Sequence, residues 1–187
     1  SAAWKLVWSD EFNKAGKPDT ASWNYEHGFV RNEEFQWYQQ DNAFCEKGVL
    51  VIEGRKEQIK NPHYQPGSNH WRHSREYAEY SASSINTSGK REFQYGRFEI
   101  RARIDTSMGL WPAIWTLGRS GEWPSNGEID IMESYPIGGV HNIMANVASG
   151  TTRIVATQAA AGNFPTATAS YTVRVTAATA TLPAGLV

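Results

Sequence analysis

Glu128, Asp130 and Glu133 stand within six residues of one another, in the segment Asn126–Tyr135 that reads NGEIDIMESY. Three carboxylates interleaved with Ile129, Ile131 and Met132 make an unusual strand. Like charges crowded on one face repel, and the crowding drives their pKa values apart. Carboxyl groups held in different protonation states are what hydrolysis of a glycosidic bond requires.

The spacing constrains the backbone. Side chains alternate faces along a regular strand, so Glu128 and Asp130 share a face and Ile129 and Ile131 take the other. Glu133 is five residues from Glu128 and falls on the wrong face. One extra residue restores it, so a β-bulge at Ile131–Met132 is expected; bulges are frequent beside active sites. A helix suits the segment less well. Five residues is a poor helical spacing for groups that must meet, and Pro124 before the segment and Pro136, Gly138 and Gly139 after it leave too short a run. Acidic residues alternating with aliphatic ones also describe a half-buried edge strand with a solvated face. The third carboxylate and the tryptophans upstream weigh against that reading.

All eight tryptophans precede the acidic cluster, and Trp111, Trp115 and Trp123 lie within the twenty residues before it. A buried indole needs a partner for its N–H, so these rings suit a wet, half-apolar surface. A sugar ring, with an apolar C–H face and a polar rim, matches such a surface. Core packing is the competing role. Trp4 and Trp115 read as core, while Trp111 and Trp123 fit core or cleft.

The elements that must position these groups are strands. At 187 residues the chain suffices for one core. Trp4 to Trp8 alternates. Val49–Ile52 is a β-branched run between Gly48 and Gly54. Residues 61–76 read as a long loop. From Gln94 to Ile104, Tyr95, Arg97, Glu99, Arg101 and Arg103 alternate with Phe98, Ile100, Ala102 and Ile104, which predicts a strand whose basic face is solvated. Trp111–Leu117, Glu128–Glu133 and Val140–Ala148 follow as strands, with a turn at Asp105–Gly109. No segment sustains a helical period. Many short strands with glycine-rich turns indicate a sandwich or jelly roll.

Composition excludes several classes. The net charge is −1, which does not suit a nucleic acid or an anionic membrane as partner. No apolar run approaches the roughly 20 residues of a membrane span. No signal peptide is visible. The single Cys45 allows no internal disulfide. His70 and His73 lack a further ligand nearby, so no metal site is expected. From Ser149 to Val187 there is no Asp, Glu, Lys or Trp, and Ala and Thr dominate. The chain therefore reads as 1–148 plus an Ala/Thr-rich segment, 149–187. That segment fits final strands of the sandwich, the start of another β module, or an unrelated piece.

Residues 126–133 resemble the active-site motif of glycoside hydrolase family 16. Val7–Phe12 (VWSDEF) is similar to that family's opening strand, and Asn32–Tyr38 (NEEFQWY) to its Asn-x-Glu-x-Gln-x-Tyr segment. Gln94–Glu99 and Gly109–Trp115 resemble the strand pair before the catalytic strand. The likeness covers about residues 4–148, and the Glu-x-Asp-x-x-Glu form resembles the laminarinase-like branches. It implies an all-β antiparallel jelly-roll sandwich with a concave substrate cleft. It implies retaining endo-hydrolysis of β-1,3- or mixed β-1,3/1,4-glucan. Glu128 would be the nucleophile, Glu133 the acid/base about 5–5.5 Å away, and Asp130 the hydrogen-bond partner of the nucleophile. Trp111, Trp115 and Trp123 resemble residues lining the glycone side; Asn32 and His141 resemble sugar contacts.

Members of the family usually run on for roughly a hundred residues beyond the catalytic strand, and nothing after Ala148 resembles that part. The sandwich is therefore expected to be incomplete at the C-terminus. Glu11 looks like the N-terminal contributor to the structural calcium many members bind, but a further ligand belongs to the part not matched. No cofactor is required by this reading. The expected partner is a polysaccharide, the chain is expected to be a monomer, and the location is secreted, periplasmic or at the cell surface. A galactanase acting on agar or carrageenan, or a non-catalytic polysaccharide-binding protein with the same cleft, are the rival readings.

Overall fold

A computed structural model describes residues 4–137, 140–147, 150–158 and 167–175. The chain forms two compact units, residues 1–96 and 97–187. Its elements are almost all strands, with a three-residue 3-10 helix at Gln40–Asn42.

The first unit contains β1 (Asn24–Tyr25), β2 (Gln36–Tyr38), β3 (Ala43–Glu46), β4 (Val49–Ile52), β5 (Ile59–Lys60), β6 (Tyr77–Ala78), β7 (Tyr80–Ala82) and β8 (Ile85–Asn86). β4 is the β-branched run of the sequence, and it pairs antiparallel with β3. β1 pairs with β8 and β5 with β6, both antiparallel. β2 and β7 pair in parallel. Parallel neighbours need a long crossover, and here the chain between them runs through β3 to β6.

Phe29, Trp37 and Ala78 form this unit's buried cluster, with Ile59 and Trp71 packed against it. The Trp37 ring meets Phe29 edge-on at 5.2 Å. Each such side chain, fully buried, stabilises the fold by about 1.5–3 kcal/mol. Gly28, at φ +86°, lies against the same indole, where an added Cβ would stand 3.5 Å from Trp37. Two buried asparagines supply the polar frame. Asn42 Nδ2 donates to the Glu53 carbonyl at 2.8 Å and to Ser81 Oγ at 2.9 Å. Asn61 Nδ2 donates to the carbonyls of Arg72 (2.8 Å) and Arg75 (2.9 Å), while its Oδ1 accepts from the His63 amide at 3.0 Å. Residues 61–76 are a loop, as expected, and Asn61 shapes it from inside.

The Arg31–Glu34 turn is strained. Asn32 and Glu33 have φ of 55° and 54°, and the Glu34 amide donates to the Arg31 carbonyl at 3.2 Å. Positive φ at both central residues is the mirror-image turn that ordinarily selects Gly, Asn or Asp. Glutamate there is costly, by about 1–3 kcal/mol for such a backbone.

The second unit contains β9 (Ala113–Leu117), β10 (Glu128–Ile137), β11 (Val140–Val147), β12 (Gly150–Gln158) and β13 (Ala167–Val175). β10 is central in an antiparallel sheet of order β11-β10-β9. Its pairing with β9 ends at Glu133↔Ala113, so Pro136, which lacks an N–H, sits where β10 has a ladder on one side only. β12 and β13 form a hairpin in the Ala/Thr-rich segment.

Several sequence expectations need correction. Residues 94–104 form no strand, and only Ile104 among them is even half-buried. The alternation supplies an apolar face, but among the described residues no strand pairs with it. The boundary between the two units falls within this stretch. Trp4–Trp8 is likewise not a strand, and Trp4 is 73% exposed rather than core.

Asn61→Ala should destabilise the first unit by roughly 1–3 kcal/mol, because it takes the buried donor away from two part-buried carbonyls. Urea unfolding measures this; a loss below about 1 kcal/mol would contradict the framing role.

Candidate active site

The site is built on β10, whose register carries an extra residue. Against β11, Asp130 pairs with Asn146 and Glu133 with Met144; against β9, Asp130 pairs with Trp115 and Met132 with Ile114. Both ladders therefore shift between Asp130 and Glu133, at the place where the spacing demanded a bulge.

The electrostatics follow from that shift. Asp130 is 6% exposed. Its pKa is raised from 3.8 to about 7, first by burial, then by the charges of Glu133 and Glu128, and by a hydrogen bond with Glu128. Asp130 thus keeps a proton across the weakly acidic range, and it has a glutamate to give it to. Both glutamates are half-buried.

Two tryptophans hold the glutamates. Trp111 Nε1 donates to Glu133 Oε1 at 3.1 Å, and Trp123 Nε1 donates to Glu128 Oε2. Both rings remain open to solvent, 52% exposed for Trp111 and 65% for Trp123. Trp115 stands on β9 opposite Asp130 and lies at the surface rather than in a core. Tyr135, which the sequence analysis did not single out, packs its ring on Trp111 at 5.2 Å. Its place two residues beyond Glu133 was the available signal.

The turn entering β10 is pinched. The Gly118 amide donates to the Gly127 carbonyl at 2.9 Å, and Asn126 Nδ2 donates to the Gly118 carbonyl at 3.0 Å. A Cβ on Gly118 would lie 1.7 Å from the Asn126 carbonyl oxygen, so only glycine fits. This closure sets where β10 begins.

Two sequence candidates remain, Asn32 and His141. Asn32 belongs to the first unit, exposed at its strained turn, with Nδ2 at 3.4 Å from Glu34 Oε1. His141 pairs with Pro136 by register, but its side chain lies outside the described residues. Among the described residues no three His, Cys, Asp or Glu side chains gather to hold a metal ion.

The family model described as an XgeA-like, catalytic GH16 domain matches residues 23–181. The chain belongs to glycoside hydrolase family 16. It is 41% identical over 167 residues to a β-glucanase of Rhodothermus marinus, covering 80% of this chain and 52% of that protein. Among solved structures, it resembles the laminarinase of Rhodothermus marinus with a TM-score of 0.56 and 43% identity, over 70% of this chain and 50% of that one. A chain from work on endo-acting O-glycanases that prominent human gut bacteria express to initiate mucin breakdown gives a TM-score of 0.64 at 31% identity, over 92% and 60% of the two chains. The all-β jelly-roll class implied by the sequence holds in this family 16 chain. The chain spans about half the length of the glucanase relatives it matches.

Between about pH 4 and 7 the folded chain holds a proton on Asp130 that the unfolded chain has released. The stability linked to that proton is complete below about pH 4 and is lost as pH rises through about 7. Asp130→Asn should therefore lessen the fall of the urea midpoint across this window relative to wild type. Parallel midpoint profiles for the two proteins would contradict the raised carboxyl.

Proposed function

We propose that this chain carries the catalytic strand of a retaining endo-β-glucanase acting on β-1,3- or mixed β-1,3/1,4-glucan. One observation carries the reading: an extra residue in β10 beside a buried, proton-bearing Asp130 that feels both glutamates. The glucanase and laminarinase relatives supply the substrate class.

In this proposal Glu128 attacks the anomeric carbon and Glu133 gives a proton to the departing glycosidic oxygen. A covalent glycosyl-enzyme intermediate forms. Glu133 then takes a proton from water, which attacks the same carbon and frees Glu128. Asp130 donates a hydrogen bond to Glu128, and the Trp123 indole donates to the same carboxylate. These bonds fix the nucleophile's direction before the sugar arrives. The Trp111 indole does the same for Glu133. The exposed faces of Trp111, Trp115 and Trp123 offer apolar platforms for sugar C–H faces, and Asn32 and His141 are further candidate sugar contacts.

The polymeric substrate suits a secreted or cell-surface protein acting as a monomer. Among the described residues no helix is long and apolar enough to cross a membrane. The family match, which runs to residue 181, supports counting the Ala/Thr-rich sequence up to that residue with the catalytic domain. Calcium has no part in the proposed chemistry.

Reducing-sugar release from laminarin, lichenan and agarose tests the reading. Product from agarose alone would make this a galactanase, and binding without product a recognition protein. Glu128→Gln should reduce turnover by about 10³-fold or more while retaining glucan binding; substantial residual hydrolysis would remove Glu128 as nucleophile. Glu133→Ala should slow polysaccharide hydrolysis far more than the first step on an aryl glycoside with a good leaving group, which needs little acid assistance. Equal losses on both substrates would deny Glu133 its acid role.

A further inference from the structure

The strained Arg31–Glu34 turn lies in the first unit, and an arginine clamp holds it. Arg72 Nε donates to the Phe29 carbonyl at 2.9 Å and its Nη2 donates to the Val30 carbonyl, just ahead of the turn. Arg75 Nη2 donates to the Glu34 carbonyl at 2.8 Å, at the turn's end. Beneath, the Glu34 carboxylate accepts from Gln36 Nε2 at 2.8 Å and from the Tyr38 hydroxyl at 3.0 Å. Burial first, then the Glu34 charge, push the Tyr38 phenol up to about 12, so it remains a donor. Asn61 orients the clamp, since it binds the carbonyls of both arginines.

This much anchoring is spent on a turn whose tip is exposed. Backbone strain persists where the surroundings over-determine it, and it clusters at ligand clamps. The Arg75 guanidinium ties the tip together. It lies 3.9 Å from the centre of the buried Phe29 ring and 5.7 Å from that of Phe35, which is 73% exposed. It also feels the charge of Glu33. The exposed Phe35 ring and the exposed Glu33 carboxylate, two residues apart, thus share one neighbouring cation.

We propose that Glu33 and Phe35 form a saccharide contact on the first unit, with Arg72 and Arg75 as positioning residues. Phe35 takes the C–H face of a glucosyl residue, and the Glu33 carboxylate accepts hydrogen bonds from its hydroxyls. An exposed ring and an exposed acceptor two residues apart suit a neutral polysaccharide, and the negative carboxylate disfavours sulfated or carboxylated chains. The inference rests on the glucan-binding reading and extends it to residues away from β10.

Calorimetric titration of the Glu128→Gln chain with laminarin oligosaccharides carries the test, with kinetics on laminarin in the otherwise wild-type chain. Phe35→Ala and Glu33→Ala should each weaken binding by about fivefold and raise KM far more than they lower kcat. Phe35→Trp, which keeps a flat ring, should restore binding. Arg75→Lys keeps the charge but loses the planar fork; it should raise KM while the melting temperature shifts little. Dissociation constants for Phe35→Ala and Glu33→Ala within about twofold of the parent's overturn the contact. If the parent binds laminarin and the variants match it, the contact alone fails. If the parent binds none of laminarin, lichenan and agarose, the glucanase reading fails and takes the contact with it.

Discussion

Repulsion among three carboxyl groups on one short strand is the constraint on which the second unit is organised. Burial would make three anions there prohibitive. The chain meets the problem by leaving a proton on Asp130, whose pKa rises to about 7. The extra residue between Asp130 and Glu133 is the backbone's share of the same arrangement. The surrounding features serve that strand: β9 and β11 fix its register, the pinched turn fixes its start, and the indoles of Trp111 and Trp123 bind the outer two carboxylates.

The tryptophans show why single side chains resist a simple inside-or-outside assignment. Trp37 is 4% exposed and belongs to a core. Trp111 and Trp123 spend their N–H groups on carboxylates and leave their rings in solvent. The same side chain thus serves as packing material at Trp37 and as a directed donor at Trp111 and Trp123, and at Trp23, whose Nε1 donates to Asp10 Oδ2 at 2.8 Å. Which role it takes depends on whether a carboxylate lies within reach of the indole nitrogen.

Much of the site was legible because it obeys local rules. The period of two along a strand, set against the five-residue step from Glu128 to Glu133, was enough to place a bulge at Ile131–Met132. Strand β4 and the loop at 61–76 were legible from local composition. Residues 94–104 were misread because alternation records an amphipathic face and says nothing about whether a partner strand pairs with it. Trp4 was misread likewise, since its burial depends on neighbours far along the chain. The Arg72 and Arg75 clamp was invisible in sequence, as both arginines reach carbonyls about forty residues away. Strand β12 went unnoticed because Gly150–Gln158 shows no clean apolar/polar alternation.

The pinch at Gly118 has a consequence for how this protein can vary. The crossing of Gly118 and Asn126 leaves no room for a methyl group, yet it is made by backbone and one amide side chain. Residues 119–125 close back onto that neck: the Asn126 amide donates to the Glu122 carbonyl and the Gly127 amide to the Pro124 carbonyl, each at 3.0 Å. Trp123 rides on this loop, whereas the carboxylates do not. Exchange of residue 123 would thus remove the indole that donates to Glu128 while leaving intact the strand that bears the three carboxylates.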